Sequence, residues 1–266
     1  MKLTGDVSEF DRGLLYGDGV FETMRVVNGG LPLLERHLAR LEGSLAVLGV
    51  PVPDRPALAS ALLEAAAEQQ EGILKLIVSR GVGGRGYAAP PDVAPTVRVQ
   101  SFPLPEWPAS HTEQGVAVVV SRMRLPTDDP LAGIKTLNRL PQVLAATELE
   151  GTGAAEALMR DGQGRIIEGT RSNVFYRIDG IWYTPPVSAG VDGVMRQLLL
   201  DEAPVEIGQR HLPDEELAEV DAMFLCNSVF GIWPVARLVD RELASVTMIS
   251  GFSDVVARRL SGAARE

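Results

Sequence analysis

The stretch at residues 102–115 (FPLPEWPASHTEQG) constrains the fold most, because Pro103, Pro105 and Pro108 interrupt it near the middle of the chain. Proline fixes φ and removes a backbone donor, so prolines this close together end both helices and strand ladders. Each side carries its own mixture of strand and helix patterns. The chain therefore reads as two α/β or α+β domains with a cleft between them. The expected division is a smaller N-terminal α/β domain over 1–103, a linker over 104–115 and a larger C-terminal domain over 116–266. A chain of 266 residues can bury a core in each.

In the first half, residues 20–27 alternate loosely and run into Asn28-Gly29-Gly30, which signals a hairpin turn. Leu34, Leu38, Leu41, Leu45 and Leu48 recur at helical spacing, stopped by Gly49 and Pro51. A second helix is expected over 55–69, then a strand over 73–80, a glycine-rich turn at 81–87 (GVGGRGY) and a strand over 96–101. In the second half, residues 116–120 suit a buried strand, and a helix is expected over about 137–149. Two strands flank the turn at 161–164 (DGQG), a third covers 173–177, a helix opens on Gly193 and a buried strand covers 222–226.

Charge and composition remove several classes of function. A formal net charge of −10 argues against a nucleic-acid partner, since phosphate backbones demand a basic surface. No apolar run approaches the roughly 20 residues of a membrane span. Residues 1–11 (MKLTGDVSEFD) lack the apolar core of a secretory leader, so a cytoplasmic location is expected. Cys226 is the single cysteine, which excludes an internal disulfide and a Cys-based zinc site. His37, His111 and His211 are widely scattered, and no metal site is expected.

Only three of the 25 basic residues are lysines: Lys2, Lys75 and Lys135. A lysine can lose its proton when desolvated, attack a carbonyl and form a Schiff base, whereas arginine stays protonated. Lys2 is terminal and Lys75 suits the polar face of a strand. Lys135, in 131–140 (LAGIKTLNRL) just before a helical pattern, is the candidate nucleophile. Three further segments add chemistry. Residues 167–175 (IEGTRSNVF) set Glu168 beside Thr170 and Ser172. Residues 190–196 (GVDGVMR) open a helix whose N–H groups could hold an anion. Residues 36–41 (RHLARL) present Arg36, His37 and Arg40 on a helix. Each alone has a plainer reading: a surface carboxylate for Glu168, a turn for Gly193, a solvated helix face for Arg40. Together they are the parts that pyridoxal phosphate requires: an amine for the aldehyde, a cradle for the phosphate and an acid for the pyridine nitrogen.

With those residues in view, the chain resembles the fold-type IV pyridoxal-phosphate family of branched-chain aminotransferases, D-amino-acid aminotransferases and aminodeoxychorismate lyases. The matching segments, in the family's order, are 16–25 (YGDGVFETMR), 36–41, 135–140, 168–175 and 193–196. Segments 72–87, 131–144 (LAGIKTLNRLPQVL) and 190–197 resemble the lyases most. The resemblance implies a two-domain enzyme with the cofactor in the interdomain cleft. Lys135 would form the Schiff base and then act as base and acid, Glu168 would pair with the pyridine nitrogen, and Arg40 would bind the phosphate. Backbone donors at Val194 and Met195 would help, with Thr170 and Ser172 nearby. Where family transaminases often carry a hydroxyl residue, this chain has Met195. Thr23 would protonate the departing enolpyruvyl group, and Asn227 and Ser228 would line the site.

The implied reaction turns 4-amino-4-deoxychorismate into 4-aminobenzoate and pyruvate, a step of folate biosynthesis. The alternatives are a transaminase of D- or branched-chain amino acids on the same scaffold, and a non-catalytic binding protein. A homodimer is also implied, with loop 81–87 as a segment that could reach a neighbour. Arg80, Arg85 and Arg139 stay open as partners for substrate acid groups.

Overall fold

The computed structural model describes residues 7–261, so Lys2 lies outside the described residues. Contacts divide the described residues into two compact units, one of residues 7–105, Ile134–Asn138 and residues 259–261, the other of Glu106–Gly133 and Arg139–Arg258. The sequence reading set Lys135 with the C-terminal residues, whereas contacts group it with the N-terminal unit. The reason is a ladder: Phe21 N–H donates to Lys135 O and Leu137 N–H to Gly19 O, which lays this segment along a strand edge.

The first unit contains α1 (Arg12–Tyr16), β1 (Gly19–Val27), α2 (Leu34–Leu48), α3 (Arg55–Ala67), β2 (Glu71–Ser79) and β3 (Thr96–Phe102). Its strands form one antiparallel sheet in the order β1-β2-β3. Strand period 2 sends Val20, Met24 and Val26 into the core with Leu74, Leu76 and Val78. The helices cover that face with Leu38, Leu41 and Leu45 from α2 and Leu58 and Leu62 from α3. The Asp54 carboxylate caps α3 by accepting from Ala57 N–H. The expected hairpin at Asn28-Gly29-Gly30 is a turn only. Val27 and Gly30 exchange backbone bonds, but no strand follows before α2, and β1 pairs instead with β2.

The second unit runs α4 (Ser110–Glu113), β4 (Val116–Leu125), α5 (Leu140–Thr147), β5 (Glu156–Asp161), β6 (Arg165–Gly169), β7 (Asn173–Ile178), β8 (Ile181–Thr184), α6 (Val194–Glu202), β9 (Ile207–Gln209), β10 (Leu212–Pro213), β11 (Ala222–Asn227), β12 (Gly231–Leu238), β13 (Arg241–Glu242), α7 (Ser245–Met248) and all but the last two residues of α8 (Ser250–Leu260). Its sheet has the order β10-β6-β5-β4-β12-β11-β7-β8-β9, with β13 beside β12. β5, β7 and β11 are buried along almost their whole lengths, as strands covered on both faces must be. The proline-rich stretch does not remain a bare connection: α4 forms within it, and Trp107 packs edge-on against Trp233 at 5.5 Å. No helix among the described residues is long and apolar enough to cross a membrane.

Candidate active site

In the first unit, Lys135 lies along β1 with its Nζ 4.5 Å from the centroid of the Phe21 ring. Thr23, two residues on, is half-buried and pairs with Lys75 across β1 and β2. One strand position between them points the other way. Glu22 enters the core between Val20 and Met24, only 2% exposed, and a carboxylate there requires partners. α2 supplies both. His37 Nδ1 lies 2.7 Å from Glu22 Oε2, Arg40 Nε–H donates to Oε1 at 2.9 Å, and an Arg40 Nη–H donates to Oε2. Burial pushes the Glu22 carboxyl upward, but the Arg40 charge and the bonds from His37 and Arg40 overcome it and hold it at about 2. His37 moves down from its ordinary value chiefly through burial, against the pull of Glu22 and with the charges of Arg40 and Lys135.

Asp18, in the segment that carries the family resemblance, ties the same unit together. Its carboxylate accepts from Arg12 Nε at 2.9 Å and Arg80 Nε at 2.7 Å. Arg80 also donates to Leu48 O and Gly49 O, so its guanidinium is engaged in the fold of this unit. Arg12 donates to Gly86 O and Tyr87 O and fixes the far end of the glycine-rich loop.

In the second unit, Glu168 is 4% exposed, so the surface reading of this carboxylate is set aside. Val191 N–H donates to its Oε2 at 2.8 Å and Gln142 Nε2 to its Oε1 at 3.2 Å. Gly190 makes that approach possible. Its φ is +71°, and a Cβ there would sit 2.6 Å from the Glu168 carboxyl carbon. Gly193 opens α6 under a similar limit, since a Cβ would lie 1.9 Å from Asn173 Oδ1. The first-turn N–H groups of α6 belong to Val194 and Met195, whose side chains are buried. Arg196 is committed elsewhere, to Asp192, Pro185 O and Gln209, so any anion at this helix start meets backbone rather than that guanidinium.

Thr170 and Ser172 are organised by a carboxylate that the sequence reading passed over. Glu156, wholly buried in β5, accepts from Thr170 N–H at 3.0 Å, from Thr170 Oγ1 at 2.5 Å and from Ser172 Oγ at 3.0 Å. Asn227 closes the turn after β11: its Oδ1 accepts from Val229 and Phe230 N–H, and its Nδ2 donates to Arg171 O. Cys226 is fully buried, and burial pushes its thiol far above the ordinary range, as for an inert core residue. Glu22, His37, Gln142 and Glu156 all escaped assignment. A glutamate at a core-facing position of an alternating strand was the one legible signal.

A family model described as class IV amino-transferase matches residues 19–238, most of the chain. The chain belongs to the class IV aminotransferase family. An aminodeoxychorismate lyase of Vibrio harveyi is 34% identical over 232 residues, covering 86% of each protein. A D-alanine aminotransferase of Bacillus licheniformis is 32% identical, covering 88% of this chain and 84% of that protein. Among solved structures, 4-amino-4-deoxychorismate lyase of Pseudomonas aeruginosa superposes with a TM-score of 0.92 at 42% identity, over 98% of this chain and 97% of that one.

Proposed function

We propose that the protein is an aminodeoxychorismate lyase that converts 4-amino-4-deoxychorismate to 4-aminobenzoate and pyruvate. The observation that carries this reading is the 42% identity, across nearly the whole chain, to the Pseudomonas aeruginosa lyase. Fold alone could not, because one scaffold hosts several reactions.

The enzyme is pyridoxal-phosphate-dependent, and the residues present fit that group. Beside Glu168, the buried Oε1 of Gln142 has no hydrogen-bond partner among the described residues, the mark of a polar pocket built for a further donor. The start of α6 offers N–H groups to an anion. In this reading Lys135 binds the aldehyde and Glu168 holds the pyridine nitrogen in its protonated form. In the first unit Arg40, one edge fixed on Glu22, would be the phosphate-binding cation; in the second, the N–H groups of Val194 and Met195 would hold an anion, with Thr170, Ser172 and Asn227 as further cofactor-binding residues. When bound, the cofactor supplies a protonated ring that takes up the electron pair left at the amine-bearing carbon.

The remaining work falls to side chains. Lys135 Nζ removes the proton from the amine-bearing carbon of the substrate. The Thr23 hydroxyl passes a proton to the departing enolpyruvyl oxygen and recovers one from the ammonium that Lys135 has become. Loss of that group makes the substrate ring aromatic, which drives the step forward without a second keto acid.

A transaminase is the second reading, favoured by the D-alanine aminotransferase relative. We also propose a cytoplasmic homodimer. Support for the dimer lies in Phe10, Leu14, Leu15, Val82 and Tyr87, exposed apolar side chains on α1, the residues before it and the glycine-rich loop, segments joined by the Asp11–Val82 bridge and the Tyr16–Tyr87 ring contact. The deciding experiment gives the purified protein aminodeoxychorismate with no added keto acid. Equimolar 4-aminobenzoate and pyruvate are expected. Neither product, with D-alanine instead converting the cofactor to its amine form, would assign the transaminase.

A further inference from the structure

Two of the three lysines stand against the same aromatic ring. Lys75 Nζ lies 5.0 Å and Lys135 Nζ 4.5 Å from the Phe21 centroid. Strand geometry brings this about. Phe21 sits opposite Lys135 across one edge of β1, and Lys75 pairs with Thr23 across the other. With side chains alternating, Phe21, Thr23, Lys75 and Lys135 project from one face of the sheet. The two ammonium nitrogens are therefore within about 10 Å of each other, a range at which like charges repel.

Within this unit β1, α2 and β3 carry further charged or titratable groups. Glu22 and Arg40 offset one another, and burial moves His37, which feels the Lys135 charge, below its ordinary value. Arg25 and Arg98 share the sheet face at greater remove, four residues along β1 and out on β3. Lys75 is thus the cation that shares a ring with Lys135. An adjacent cation is one of the known means of keeping a nucleophilic lysine deprotonated.

We propose that Lys75 is a positioning residue whose fixed charge, set across Phe21, lowers the proton affinity of Lys135 and so enlarges the fraction of free amine near neutral pH. The functional consequence rests on the reading of Lys135 as the cofactor-binding lysine; the coupling itself does not. Repulsion at this range corresponds to a shift on the order of half to one pKa unit. The ring acts in the opposite sense, since its negative face favours an ammonium.

The scarcity of lysine supplies the test. Reductive methylation with 13C-formaldehyde keeps the charge and gives each lysine its own NMR signal, assigned with Lys135→Arg. The Lys135 signal is titrated in the full-length chain freed of cofactor. Lys75→Met is expected to raise its midpoint by about half to one unit, Lys75→Arg to leave it in place and Phe21→Leu to lower it. An unmoved midpoint in a folded Lys75→Met protein overturns the proposal. So does an equal rise in Lys75→Arg, which would trace the effect to packing instead of charge. The lyase reading fails separately, in the product assay, and that failure would leave the measured coupling intact.

Discussion

Glu22 and Arg40 form a two-point ion pair inside the first unit, Nε to Oε1 at 2.9 Å and an Nη to Oε2, with both side chains under a tenth exposed. A guanidinium so held has one orientation, which suits a residue expected to meet a phosphate. Removing one partner leaves an uncompensated buried charge. Glu22→Gln should destabilise the unit by about 3–5 kcal/mol and weaken cofactor binding at least tenfold. Thermal unfolding without cofactor and a cofactor titration measure the two effects apart. Arg40→Lys should lose the affinity with a smaller loss of stability.

The same cluster sets a pH dependence. Glu22 has a folded value of about 2, below its ordinary 4.5, so its contribution is complete above 4.5 and disappears as pH falls toward 2. His37 is also lowered, from 6.5, so the unfolded chain binds its proton first. Both therefore act in one direction: stability should fall as pH drops below about 6.5 and fall more steeply below 4.5. Denaturant midpoints across that range check it. In Glu22→Gln the steep acid limb should flatten.

Glu168 depends on Gln142 and on the bare backbone of Gly190. Gln142→Leu removes a hydrogen bond to a charged acceptor, worth about 1.5–3 kcal/mol, and should lower kcat about tenfold while the protein stays yellow. Glu168→Gln should also keep its colour and slow proton abstraction further. Full turnover there would place the ring-nitrogen partner elsewhere.

Gly190→Ala tests the close approach itself. A methyl at a φ of +71° costs about 1–2 kcal/mol in backbone alone, and its contact with Glu168 must be relieved by moving the carboxylate. The variant should melt lower and bind cofactor more weakly. Unchanged affinity would show that the carboxylate position does not matter.

Much of this was legible because local rules and the fold agreed. Leu34 to Leu48 at helical spacing, stopped by Gly49, gave the helix that carries Arg40 to within a residue. Lys135 was nominated on composition alone, because arginine is used almost everywhere else. What stayed hidden depended on pairing. Asn28-Gly29-Gly30 makes the turn its chemistry favours, yet long-range pairing with β2 decides which strand β1 joins. Glu156 looked like any glutamate: a strand before the 161–164 turn was expected, but nothing local says that the 170–172 loop closes over its first residue. Lys135 joins the N-terminal unit through an edge pairing that no window of sequence displays.

Thr23 separates the two readings of the chemistry. It is half-buried on β1, on the sheet face shared with Phe21, Lys75 and Lys135, where a threonine hydroxyl adds little to stability. Thr23→Ala should leave the melting temperature within a few degrees and retain the yellow cofactor. Lyase kcat should fall about a hundredfold, the usual worth of one positioned proton donor. Thr23→Ser should recover most of the rate, because it returns the hydroxyl without the methyl. Proton removal from D-alanine, measured as cofactor conversion, should persist in Thr23→Ala, since the proposed roles assign that step to Lys135 and not to Thr23. Equal losses in both reactions would make Thr23 a packing residue and leave the enolpyruvyl group to find its proton elsewhere.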